Sequence, residues 1–91
     1  MIGPNIDIYT EYALEQQGIS LYPIPLHEAL HIKSEEAIYS VTITNMQGSV
    51  FKATTLVAKE QTLSTGFLNP GMYIVSIQTT SGIRNFKVMK L

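Results

Sequence analysis

The chain of 91 residues contains no cysteine and no tryptophan. Without thiols there is no disulfide framework, no thiolate nucleophile and no zinc site built on sulfur, and the redox compartment cannot be read. The lack of tryptophan, and of a clear aromatic platform, counts against the alternative of a small adhesion or carbohydrate-binding β-sandwich module. Charge is scarce, at 14% of residues with a net charge of −1. No apolar run approaches the roughly 18 residues that a membrane span requires. The opening "MIGPNIDIYTEYALEQQG" has neither a basic n-region nor a continuous apolar h-region, so no secretory leader is expected there. The chain is therefore read as cytoplasmic or as a fragment of something longer.

What is present is the composition of one folded domain, with 45% hydrophobic residues. The charges are unevenly placed. Residues 1–36 carry Asp7, Glu11, Glu15, Glu28, Glu35 and Glu36 against Lys33, whereas beyond Glu60 the only charges are Arg84, Lys87 and Lys90. A basic tail this small does not argue for nucleic acid, where a broad basic surface is expected.

From Ile38 onward the apolar period is two. In "IYSVTITN" the residues Tyr39, Val41 and Ile43 are expected to share one face. "SVFKATTL" reads as the partner strand, joined through "NMQG", with Asn45 starting the turn and Gly48 taking a positive φ. "NPGM" reads as a type II turn with Gly71 at its third position. It launches "MYIVSIQT", and "TSG" then turns the chain into "IRNFKVMKL", where Phe86 and Val88 share a face. "QTLST", "ISLYP" and "EALHI" are further short strands. About seven short strands without a confident helix predict an all-β fold, a two-sheet antiparallel sandwich with a partly open barrel as the alternative. Residues 1–18 are polar and acidic and read as a linker or tail ahead of a domain spanning 19–91.

"LHEALHIK" contains His27-Glu28-Ala29-Leu30-His31, the H-E-x-x-H letters of a helical zinc site. The chemistry needs a helix, because only there do the two histidines fall one turn apart on one face. "YPIP" imposes an extended approach, and no capping residue opens a first turn. As a strand the stretch points Leu30 and Ile32 inward and separates the histidines by about 13 Å, too far to share an ion. No third histidine exists, and no G-x-S-x-G or phosphate loop is present. The expectation is a non-enzyme with no metal and no cofactor.

The order of "ISLYPIPLHEALHIK", "YSVTITNMQGSVF" and "LNPGMYIVSIQTTSGIRNFKVMKL" resembles, across residues 19–91, the type A C-terminal sorting domain of the bacterial type IX secretion system. That family's pattern is a Y-P-N-P opening, an N-x-x-G hairpin, an L-x-x-G-x-Y turn and a last strand bearing lysines. This chain departs from it at Ile24, where the family usually has asparagine. The resemblance implies an immunoglobulin-like antiparallel sandwich at the C-terminus of a larger cargo protein. It also implies transit of the periplasm, recognition by the outer-membrane translocon and delivery to the cell surface or medium. A sortase-like peptidase would then cut in the linker Thr10, Glu11, Tyr12, Ala13, Leu14, Glu15, Gln16, Gln17, Gly18. The family's signal maps to Lys87, Val88, Lys90 and Leu91. Pro23, Pro25, Asn45, Gly48, Gly71 and Tyr73 are motif positions expected to be mainly structural, the prolines stiffening the first strand and deterring edge pairing. An exposed edge strand could also pair with that of a second copy.

Overall fold

The computed structural model describes residues 12–16, 18–55 and 57–91. Among them every regular element is a strand: β1 (Tyr12–Gln16), β2 (Ile19–Ile24), β3 (Ala29–Asn45), β4 (Val50–Thr54), β5 (Ala58–Ser64), β6 (Gly71–Thr79) and β7 (Gly82–Lys90). All pairings between them are antiparallel and join them into one sheet. The all-β class is as the alternation predicts. The segments expected as two strands, "EALHI" and "IYSVTITN", are one strand of 17 residues.

That strand organises the molecule. Ile38 has Ala58 of β5 and Thr79 of β6 as register partners, so β5 and β6 lie on opposite edges of β3. The N-terminal half of β3 runs between β2 and β5, and the C-terminal half between β4 and β6. β1 extends the first half beyond β2, and β7 extends the second beyond β6. A straight strand of this length would reach about 55 Å. The longest extent of the molecule is 30 Å, so β3 must fold over.

The fold lies at residues 33–40, where the register with β5 slips between Lys33 and Ile38 and the register with β6 between Ile38 and Ser40. Ser34 Oγ there accepts a hydrogen bond from the Glu36 N–H at 3.1 Å, a local turn inside the strand. The slip also corrects one face assignment. Ile38 is fully buried with Val41 and Ile43, while Tyr39 is 40% exposed.

Folding the sheet encloses a single apolar cluster. Ile19, Leu21, Leu30, Ile32 and Leu63 enter it from one half, and Val41, Ile43, Tyr73, Val75, Ile77, Phe86 and Val88 from the other. The alternation in β6 and β7 is thus the alternation of burial, as their sequence requires.

The bend is held from outside by Glu36. Its carboxylate accepts hydrogen bonds from Thr80 Oγ1 at 2.7 Å and Ser81 Oγ at 2.8 Å, both in the β6–β7 turn. These bonds, Thr80 first, hold the Glu36 carboxyl below its ordinary pKa. A depressed carboxylate contributes stability in full above the ordinary carboxylate range and loses it as pH falls through the lowered value. We expect the melting temperature to drop less on acidification in Glu36→Gln than in the parent protein. Melts across the acid range check this, and equal drops would assign the acid sensitivity elsewhere.

β1 lies inside the stretch expected to be a linker. It pairs with β2 through Leu14↔Leu21, Glu15↔Ser20 and Gln16↔Ile19, and again at Tyr12↔Ile24 after a register shift. The polar composition of residues 1–18 carries no periodicity that would have marked it. Residues 1–11 and 17, with Thr10, Glu11 and Gln17 of the expected cleavage stretch, lie outside the described residues.

Candidate functional site

The last strand enters the core on one side and meets solvent on the other. Of the four residues assigned to recognition, Val88 is buried at 2% exposure and packs in the core. Lys90 is half-buried, and its Nζ donates to the Leu68 carbonyl at 3.1 Å. Lys87 is exposed, and Leu91 is 53% exposed. The pattern of the sequence therefore joins two kinds of residue. Val88 and Lys90 hold the end of β7 in place, while Lys87 and Leu91 are offered to solvent.

The strand end is fixed by the "YPIP" segment. Pairing of β2 with β3 stops at Tyr22↔His31, where the prolines begin. Proline has no N–H for the ladder, so beyond Tyr22 the chain leaves β3. Both the Tyr22-Pro23 and Ile24-Pro25 peptide bonds are cis. Leu26 then forms a parallel bridge to Lys90, its N–H donating to the Met89 carbonyl at 2.7 Å. At the prolines β2 has parted from β3, while Ile24 between them still has Tyr12 of β1 as its register partner. The prolines end one pairing so that the next residues can make another.

Ile24, the departure from the family pattern, is 3% exposed and belongs to the core cluster. Tyr73 is buried at 5%, with its ring against Phe51 in an edge-on contact at 5.7 Å between centroids. Its hydroxyl donates to the Asn69 carbonyl at 2.7 Å, tying the start of β6 to the turn before it. Gly71 has φ of +153°, so it opens β6 rather than serving as the third residue of a type II turn, where φ is about +80°.

The β3–β4 turn follows the sequence closely. Gly48 has φ of +92°, and Asn45 Oδ1 accepts from the N–H of Gln47 and of Ser49, each at 2.9 Å. Asn45→Ala is expected to cost about 1 to 2 kcal/mol by unpairing two amides of a tight turn. Urea unfolding measures it, and a cost near zero would mean that water replaces the side chain.

The histidines do not assemble a metal site. His31 lies in β3, and His27 precedes that strand, so the helical spacing is absent. Leu30 and Ile32 point into the core, as the strand reading requires. His31 Nδ1 is 3.0 Å from Thr62 Oγ1, and its ring lies 5.2 Å from that of Tyr22. His27 contributes its carbonyl to Thr65 Oγ1 at 2.7 Å. Among the described residues no three metal-ligating side chains gather.

A chain whose "YPIP", "NMQG" and "LNPGMY" segments close a folded sheet over a lysine-bearing last strand matches one known family over residues 20–90, described as the secretion system C-terminal sorting domain. The chain belongs to that family. Its members are sorting signals of type IX secretion rather than catalysts. Membership implies interaction with the type IX machinery, a cargo on the N-terminal side, and export to the cell surface or medium. No curated protein and no solved structure matches the chain. Among the described residues no helix is long and apolar enough to cross a membrane.

Proposed function

We propose that this sorting domain acts without catalysis, presenting the outer side of its last strand to the outer-membrane translocon after its cargo has crossed into the periplasm. The observation that carries this reading is the division of the terminal residues. Lys87 and Leu91 project from a strand whose neighbours Val88 and Lys90 are engaged inside the domain. A cation on the strand and an apolar side chain just beyond it suit a partner surface that is acidic and in part apolar.

The immunoglobulin-like sandwich remains our reading of the architecture. In its favour, β1-β2-β3-β5 and β4-β3-β6-β7 form two halves that share β3 and close over one core. Leu26 leaves the first half to pair in parallel with the last strand of the second. A tyrosine hydroxyl near the start of β6 returns to a backbone carbonyl four residues upstream, as in the tyrosine corner of such folds.

Removal by a sortase-like peptidase within Thr10 to Gly18 is part of the same proposal. Among the described residues β1 is paired with β2 along one edge only, which leaves its other edge for a peptidase that reads its substrate as an added strand.

The test is a reporter protein carrying this domain at its C-terminus in a host with the type IX machinery. Lys87→Glu combined with removal of Leu91 should lower surface or medium delivery by about tenfold while the domain stays folded, because neither side chain is part of the core. Delivery at the parent level from that folded variant would refute the proposal.

A further inference from the structure

Among the described residues, strand β7 pairs with β6 along one edge, and its other edge carries a single bridge, to Leu26. The register of β6 with β7 runs from Gly71↔Lys90 to Thr79↔Gly82 without a shift. Residues of an antiparallel strand turn their N–H and C=O alternately toward and away from the neighbour. Met89 turns its carbonyl to Leu26, away from β6. In an unbroken register Lys87, Asn85 and Ile83 must then turn their backbone groups to that same outer edge. The 2.6 Å hydrogen bond from Ser76 Oγ to Asn85 Oδ1 agrees, since side chains come closest across such non-bonded pairs.

No strand among the described residues occupies this edge upstream of Leu26. It presents N–H and C=O groups over about 20 Å. Folds commonly blunt an edge like this with a bulge, a proline or lysines. β7 has no bulge and no proline, Lys87 is its exposed lysine, and Ile83 beside the open groups is 59% exposed. The charged side chains of β7 are Arg84, Lys87 and Lys90, all basic. Acidic Glu35 and Glu36 stand at the turn end, where they line one pocket with Arg84 and Glu36 is bonded to Thr80 and Ser81, so the cation left to the open edge is Lys87.

We infer that the open edge of β7 is a docking slot for an extended acidic segment of a partner protein, which adds as a strand beside Ile83 to Lys87. The backbone groups of the edge supply the ladder, and charge sets the register. A carboxylate of the incoming segment lies next to Lys87, because Glu36 repels it from the turn end. Leu26 closes the slot at its far end and limits the added strand to about six residues. The inference rests on the sorting reading for its biological setting, but not for its physics.

The experiment titrates the intact chain with an N-acetylated peptide of about seven residues alternating Glu with Val, a Lys/Val counterpart, and a copy of the Glu peptide N-methylated on one edge. Binding is read by anisotropy, and amide exchange by NMR. The Glu peptide should bind about tenfold more tightly than the Lys peptide and slow exchange at Ile83, Asn85 and Lys87. N-methylation should abolish binding, and Lys87→Glu should weaken it about tenfold. Asn85→Pro should also abolish it, because the lost N–H serves the slot and not the β6 ladder. Lys87→Glu carries the test if the proline variant does not fold.

Absence of binding overturns the inference, as does binding that N-methylation leaves unchanged, which would be docking through side chains alone. A dimer of the chain that protects the same three amides would assign the edge to a second copy and overturn it equally. Reporter delivery reads the sorting function separately. Delivery that depends on Lys87 and Leu91 while no peptide binds would remove the slot and keep the sorting reading.

Discussion

Replacing Ile24 by asparagine, the residue usual in the family at that position, is expected to destabilise this domain by about 4 kcal/mol. Two terms add. Ile24 is 3% exposed within the core cluster, so the exchange removes buried apolar surface, a loss of roughly 2 kcal/mol or more. It also places an amide inside the apolar core cluster, and an unpaired buried amide costs roughly 1 to 3 kcal/mol. A domain of this size has a total stability of roughly 5 to 10 kcal/mol, so the variant would be close to unfolding. Urea denaturation of parent and variant measures the difference. A change below about 0.5 kcal/mol would mean that the asparagine finds backbone partners in the turn, and that isoleucine is only tolerated there. The departure from the family pattern is thus a packing solution, and restoring the family residue in isolation should impair the domain.

Deleting residues 87–91 is the second large effect. It strips Val88 from the core, removes the Met89 carbonyl that receives the Leu26 N–H, and frees the Leu68 carbonyl from Lys90. Loss of a buried valine with two hydrogen bonds amounts to about 3 to 5 kcal/mol, enough to unfold much of a marginal domain. Circular dichroism and melting of the truncated protein should therefore show lost cooperativity. A truncated domain that melts as the parent does would mean that the end of β7 contributes nothing to folding. The consequence for function is direct. Failed delivery of a truncated reporter would reflect an unfolded domain as readily as a missing signal, whereas the Lys87 and Leu91 variant alters only what solvent sees.

Much of the fold was legible because local chemistry decides it. Alternation in "MYIVSIQT" and "IRNFKVMKL" placed Tyr73, Val75, Ile77, Phe86 and Val88 on one face, and burial agrees. Asn45 and Gly48 wrote their turn, since an amide two residues from a backbone N–H and a residue free to take positive φ have few other uses. That the H-E-x-x-H letters would lie in extended chain rather than on a helix was legible too, from the prolines before them. Three features were not. The joining of "EALHI" and "IYSVTITN" into one bent strand was out of reach, because the Glu36 carboxylate that holds the bend finds Thr80 and Ser81 only across the fold. β1 was hidden because its five residues, Tyr12–Gln16, are too few to show a sustained alternation. The split of the terminal residues into anchors and projections was also out of reach, because period two places Val88 inward but says nothing of where Lys90 finds its acceptor.

The sequence by itself determined strands β6 and β7, the inward faces of Tyr73, Val75, Ile77, Phe86 and Val88, the turn at Asn45 to Gly48, and the family, since each depends on residues close together in the chain. The tertiary structure decided what lies far apart: that one strand serves both halves of the sheet, that Leu26 reaches β7, and that Lys90 is tied to Leu68. Those contacts exist only once a 17-residue strand folds over its own core, and no local pattern encodes where its two ends meet.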